Sequence, residues 1–349
     1  MATVSEIDFS QWKMNHTMIR VKDPKKSIAF YEKLGLCLVD TLPQPEGKFD
    51  LYFLGFDGEE ALSAQGTLRS DRQGLLELTH NYGTEHDDSY TVANGNEEPY
   101  LGLQHLGITV ESLEDVDVVE GLADHTIEYT VRRHAEQSGQ VGEGSCGQAI
   151  CKDPDGYFVE LNQRPGKTTG TKIKRNLFNF TGLRVKDGRV SLPWYSNVLG
   201  MKLLHQTDTE GITAYWLGYP QMPDSLISES EGLVQLIWVH GSESKEGRVY
   251  HNGNNQPQGF GHIGEFGGYS SVVLVFDSML AVGANIGIDV AVAVDDIMAA
   301  CQHFESQRVS WKKRLTDGRL KSIAFILDPD EYWIEIIQNA RIKEPLGVQ

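Results

Sequence analysis

The chain has 349 residues, 40% hydrophobic and 23% charged, a soluble globular composition long enough for two or three domains with a substantial core. A formal net charge of −18 argues against a nucleic-acid backbone as partner, and charges break every apolar stretch before it reaches the roughly 18 residues of a membrane span. Met1 to Glu6 offers neither the basic nor the apolar region of a secretory signal, and Cys37, Cys146, Cys151 and Cys301 include no CxxC pair, so a cytoplasmic protein with reduced thiols is expected.

In chain order, the first clear element is a helix over 24–34. Asp23 suits its N-cap, Pro24 its first position and Gly35 its stop, with Ile28, Tyr31 and Leu34 on one face. Leu51 to Phe56 and Leu75 to Thr79 read as strands, and Asn94-Gly95 as a turn. The pattern then repeats. Arg20-Val21-Lys22-Asp23 recurs as Arg184-Val185-Lys186-Asp187, and Tyr52-Phe53-Leu54-Gly55 as Tyr215-Trp216-Leu217-Gly218. Asn94-Gly95-Asn96 recurs as Asn252-Gly253-Asn254, and Asp153-Pro154-Asp155-Gly156-Tyr157 as Asp328-Pro329-Asp330-Glu331-Tyr332. A domain-sized period points to a duplicated domain. In the second copy Pro193 falls inside the expected helix and is expected to delay its start. Ile297, Cys301 and Phe304 mark another helix, followed by strands over 323–327 and 332–337. The fold class is α+β with antiparallel-rich sheets, two modules per half.

Isolated carboxylates interrupt two apolar strands: Glu77 between Leu76 and Leu78, and Glu335 between Ile334 and Ile336. Such a glutamate either faces solvent on a half-exposed strand or is paired, protonated or metal-bound on a covered one. His105 and His262 each open a strand after a Gly-containing approach, and His16 lies in Met14-Asn15-His16-Thr17. Taken singly, each reads as a structural histidine. Taken together, imidazoles and carboxylates make a nitrogen–oxygen donor set suited to zinc, nickel, iron or manganese.

Four segments carry a resemblance: Asn15-His16-Thr17-Met18-Ile19-Arg20-Val21-Lys22-Asp23-Pro24, Leu76-Glu77-Leu78-Thr79-His80-Asn81-Tyr82-Gly83-Thr84-Glu85, Gly259-Phe260-Gly261-His262-Ile263-Gly264, and Asp328-Pro329-Asp330 with Tyr332-Trp333-Ile334-Glu335. Over nearly the whole chain the sequence resembles glyoxalase I (lactoylglutathione lyase) of the fused, two-domain eukaryotic type. The resemblance implies the vicinal-oxygen-chelate fold: four βαβββ modules in two tandem domains, here 10–165 and 176–342 with a linker at 166–175. It implies a divalent metal, zinc first, held by His16 and Glu77 of the first module and His262 and Glu335 of the fourth. It also implies glutathione as cosubstrate and isomerisation of the methylglyoxal hemithioacetal to S-lactoylglutathione, with Glu335 relaying the proton and Glu77 opposite it.

A second site would join His105 and Glu160 to the third module. There the pattern breaks: Phe180 and Gln235 stand at the ligand positions, and Val239 replaces Asn81. One complete and one degenerate site are therefore expected. The expected glutathione anchors are Arg20, Asn81, Lys313 and Arg314, and the expected apolar pocket is Phe49, Leu51, Phe53, Ile323 and Phe325. Leu101 and Gln258 stand where the family often carries an Arg, and Glu331 replaces the Gly of the second Asp-Pro-Asp-Gly turn. Internal pairing of the halves favours a monomer acting on a small molecule. Two other readings stay open: a metalloenzyme of this fold with a non-glutathione substrate, and a metal-free binding protein.

Overall fold

A computed structural model describes residues 7–57, 68–111, 113, 148–164, 176–219, 227–259, 290–317 and 322–339. His262, Cys146 and the expected linker lie outside the described residues. The first module comprises β1 (Lys13–Arg20), α1 (Pro24–Lys33), β2 (Cys37–Gln44), β3 (Phe49–Gly55) and β4 (Leu75–Asn81). The second contributes β5 (Leu103–Val110), β6 (Gln148–Lys152) and β7 (Phe158–Gln163). The third repeats the first as β8 (Leu177–Val185), α2 (Gly188–Val198), β9 (Lys202–Thr209), β10 (Ile212–Gly218) and β11 (Leu233–Val239). The fourth comprises β12 (Val290–Val294), α3 (Ile297–Ser306), β13 (Ser310–Lys313), β14 (Ile323–Leu327) and β15 (Trp333–Gln338).

Among the described residues the strands form two sheets, ordered β13-β14-β15-β12-β1-β4-β3-β2 and β6-β7-β5-β8-β11-β10-β9. The first sheet joins modules one and four, and the second joins modules two and three. Each module contributes one parallel pair, and the two modules of each sheet meet antiparallel, β1 on β12 and β5 on β8. One continuous apolar core runs through all four modules, from Trp12 and Phe30 through Tyr157 and Phe178 to Phe304 and Ile336. The Thr17 and Thr181 hydroxyls of β1 and β8 lie 2.5 Å apart and link the two sheets.

Helix α1 begins where its cap signals put it: the Asp23 side chain accepts from Lys25 N, and Gly35 ends it in the left-handed region with φ 93°. Its buried face is Pro24, Ser27, Phe30 and Tyr31, with Ile28 only half-buried. The expectation for Pro193 is corrected. Helix α2 runs from Gly188 to Val198 straight through it, because Asp187 caps the start by accepting from Arg189 N. Ser191 Oγ and Tyr195 OH then donate to Asp330 and Asp328, anchoring the helix despite the missing amide of Pro193. The equivalent clasp in the first half is Tyr31 OH donating to Asp153 at 3.0 Å and Lys22 N donating to Asp155 at 3.2 Å. Burial pushes Asp153 up to about 7 and Asp155 up to about 6. Gly156 takes φ 84° in the first Asp-Pro-Asp turn, and Glu331 takes φ 65° at the same position of the second, a conformation that costs a residue with a Cβ. Arg248 pairs with the Glu331 carboxylate there.

Candidate metal centre

Strand pairing brings three of the four expected ligands together. Glu77 sits on β4 beside β1, and Glu335 sits on β15 beside β12, which is the neighbour of β1 on its other side. His16 therefore lies between two carboxylates supplied by the two modules. Its Nε2 is 3.1 Å from Glu77 Oε2 and 3.4 Å from Glu335 Oε2. All three residues are buried, at 4%, 0% and 2% exposure, which rules out the solvent-facing reading of both glutamates.

The chemistry of this donor set fits a divalent cation. Two buried carboxylates facing one imidazole concentrate negative charge at a single point, and burial makes that costly without a counter-charge. Burial opposes a charge on His16, yet the Glu335 and Glu77 carboxylates outweigh it and hold the imidazole pKa above its ordinary value. Nitrogen and oxygen ligands bonded to one zinc ion at about 2.0–2.2 Å stand about 3.0–3.5 Å from one another, the range of the separations seen here. The donors touch one another rather than encircling a point, and among the described residues no group of three His, Cys, Asp or Glu encircles one. The fourth expected ligand, His262, lies outside the described residues.

Neighbouring groups fix these side chains. Thr79 Oγ1 donates to Glu77 Oε1 at 3.1 Å, leaving Oε2 toward the histidine. The His16 ring stands edge-on to Phe53, with centroids 5.3 Å apart, and Phe53 pairs with Glu77 across β3–β4. Phe49, Leu51 and Phe53 pack with Leu75 as a cluster of their own, apart from the main core. Phe325 pairs with Glu335 across β14–β15, while Ile323 and Phe325 both belong to the main core.

Of the expected glutathione anchors, Arg20 and Asn81 lie at the neighbouring ends of β1 and β4, and Lys313 and Arg314 at the end of β13. Arg20 is buried, with Nη1 donating to the carbonyls of Gly253 and Gly259. Asn81 is half-buried at the end of β4, and Lys313 Nζ donates to Ile323 O at 2.7 Å. Arg314 is exposed, bonded to Glu305 at 3.0 Å and laid over Trp311.

Two residues near the centre were not anticipated. The Arg69 guanidinium lies 4.2 Å over the Phe53 ring and donates to Asp40 at 2.7 Å. Burial draws its pKa below the ordinary value against the pull of Asp40, Glu77 and Glu335, so it is a fixed positive charge close to the carboxylates. Asn15, fully buried, contacts His16 Nδ1 through Oδ1 at 2.7 Å. An arginine eight residues before Glu77 carries no sequence signal; the asparagine carries one, since Asn179 repeats it.

The second set of expected residues also converges, without a comparable donor set. His105 Nε2 lies 2.8 Å from Gln235 Oε1 and 3.7 Å from Glu160 Oε2. The Phe180 ring fills the place of the second imidazole, edge-on to His105 with centroids 5.4 Å apart. A cavity of about 570 Å³ opens beside it, lined by Phe180, Trp216, His205, Glu160 and Asn162 among others, and among the described residues no Lys or Arg lines it. Among the described residues no helix is long and apolar enough to cross a membrane, and Cys37, Cys151 and Cys301 are free.

Comparison with known proteins agrees with the duplicated fold. The family model of the Glyoxalase/Bleomycin resistance protein/Dioxygenase superfamily matches twice, over residues 13–161 and 177–336. A lactoylglutathione lyase of Schizosaccharomyces pombe is 38% identical over 340 residues, 96% of this chain and 99% of that protein. Glyoxalase I of Saccharomyces cerevisiae is 32% identical over 339 residues, 94% and 93% of the two chains. The crystal structure of glyoxalase I from Zea mays shares the fold, with a TM-score of 0.60 and 22% identity over 95% of both chains. The duplicated family match and the near-full-length relatives place the chain in the glyoxalase superfamily and, within it, in the glyoxalase I family of enzymes.

Proposed function

We propose that the chain is a lactoylglutathione lyase, converting the hemithioacetal of glutathione and methylglyoxal to S-lactoylglutathione at one centre between modules one and four. The observation that carries this reading is that Glu77 and Glu335, from the two halves of the chain, both lie buried beside His16 Nε2. Relatives named lactoylglutathione lyase and glyoxalase I over nearly the full length support it.

The reaction is an internal rearrangement that needs no oxidant. The C1 proton moves to C2, and the hydroxyl proton passes from the C1 oxygen to the C2 oxygen. Product and substrate therefore hold the same atoms. In this reading His16, Glu77 and Glu335 hold a divalent metal, zinc first, with His262 as the expected fourth ligand. When bound, the metal supplies Lewis-acid stabilisation of the charge that develops on the substrate oxygens. Glu335 Oε2 takes the C1 proton and returns it to C2, and its burial among apolar strands keeps water from exchanging with it. Thr79 holds the Glu77 carboxylate in place. Phe53 and its cluster form the apolar wall for the aldehyde substituent, and Asn81 and Lys313 are the glutathione contacts best placed by their partial exposure.

The test is thioester formation from preformed hemithioacetal by the zinc-loaded protein, with Glu335→Gln as the blank. Turnover abolished in that variant is the expected result. A zinc-binding protein with no turnover on this substrate would end the reading.

A further inference from the structure

A strand irregularity next to the centre has a chemical purpose. Along β1, Met14 pairs with Val292 and His16 with Ala291, so Asn15 is an extra residue without a register partner. Neighbours on an unbroken strand point to opposite faces; a bulge of this kind re-aims them. Here it brings the Asn15 amide against the His16 ring.

The amide cannot be turned the other way. Its Nδ2 donates to the carbonyls of Arg69 at 2.9 Å and Arg72 at 2.6 Å, using both protons. What remains for His16 Nδ1 is Oδ1, at 2.7 Å. A carbonyl oxygen only accepts, so Nδ1 carries the hydrogen. Nε2 is then the nitrogen turned to the two carboxylates.

We infer that Asn15 is a positioning residue that holds His16 with the hydrogen on Nδ1, so that Nε2 offers its lone pair as a metal ligand. The inference rests on the metal reading above. Hydrogen bonding at the far ring nitrogen is the means by which a protein selects the ligating form of a histidine.

The second half supplies its own control. Asn179 is likewise skipped, between Phe178 opposite Ile108 and Phe180 opposite Gly107. Its Nδ2 donates to Ile227 O at 2.7 Å and Ser230 O at 2.5 Å. The bulge and the double donation are kept where the adjacent residue is Phe180, which has no ring nitrogen to orient. The histidine that survives there, His105, meets the Gln235 side chain through Nε2 at 2.8 Å. The tie between strand and turn is common to both halves, and the orientation of an imidazole belongs to the first.

The experiment compares Asn15→Ala with Asn179→Ala for zinc affinity by chelator competition and for Tm. Both variants lose their strand-to-turn bonds, so Tm falls in both. Zinc affinity falls about 10–100-fold in Asn15→Ala and is unchanged in Asn179→Ala. An equal loss in both, or none in Asn15→Ala, overturns the inference. Ring ¹⁵N NMR of the wild type, with His16 assigned by its absence in His16→Gln, needs no weakened variant. Protonated Nδ1 is expected, and a bare Nδ1 with the hydrogen on Nε2 overturns the inference. If the wild type takes up no zinc, the metal reading fails by itself, and the NMR result still decides the role of Asn15.

Discussion

The two sheets carry the same frame and different chemistry. Each has a bulged central strand with a buried asparagine, a short turn bonded to that asparagine, and an Asp-Pro-Asp turn clasped by a tyrosine. In the first sheet the position after the asparagine is His16, and the adjoining strand brings Glu77. In the second those places hold Phe180 and Gln235, and His105 settles into a bond with the amide. The backbone devices recur in both sheets, while the side chains set on them differ. The frame serves the fold in both halves, and the proposed centre depends on a few side chains placed on it.

The largest effect should come from exchanging the equivalent glutamates. Glu335→Gln removes the proposed proton carrier and should lower kcat about 10²–10⁴-fold, whereas Glu160→Gln should leave it within about twofold. Equal sensitivity would break the distinction between the sheets. Metal stoichiometry comes next. One zinc per chain is expected, lost in His16→Ala and kept in His105→Ala, and saturation at about 100 times Kd should stabilise the fold by about 2.7 kcal/mol. Two tightly held ions in the wild type would remove the contrast.

Rebuilding the second centre would sharpen it. Phe180→His with Gln235→Glu restores four donors with His105 and Glu160, and a second ion is expected by equilibrium dialysis. It should bind about 10–100-fold more weakly than the first, because Ile237 stands where Thr79 fixes the Glu77 carboxylate.

The smallest effect concerns the clasps. Burial raises the folded-state pKa of Asp153 to about 7 and of Asp155 to about 6, above the unfolded value of about 3.9. The folded chain thus keeps protons that the unfolded chain has released. The resulting stabilisation is present in acid and is lost as pH rises from about 4 to about 7. Urea midpoints of Asp153→Asn should show a shallower decline over this window than those of the wild type.

Much of this frame was legible where local chemistry dictates local structure. Asp23, Pro24 and Gly35 marked α1, the apolar run Ile323 to Leu327 marked β14, and the misplaced Glu77 and Glu335 proved to be the two buried carboxylates beside His16. What escaped depended on contacts distant in sequence. Pro193 could not reveal that Ser191 and Tyr195 would be held by Asp330 and Asp328. Arg69 becomes a charge beside the carboxylates only once its turn is tied to β1 through Asn15. The bond of Arg314 to Glu305 of α3 joins two elements that the sequence does not show to be neighbours. Asn15 was in plain view, but its meaning came from a bulge, and bulges leave no pattern in a single strand.

The pairing of modules one with four and two with three also governs how the chain reaches its structure. β1 and β12 are neighbours in space although some 270 residues separate them in the chain, so the first sheet cannot close until synthesis is nearly complete. Until β8 and β12 follow, β5 and β1 present bare edges, the most association-prone surface a nascent sheet can expose. A partner able to cover them is a second copy of the same first half. That half carries His16, Glu77, His105 and Glu160, one full donor set of its own. The duplicated chain carries both halves, so closure is a search within one molecule.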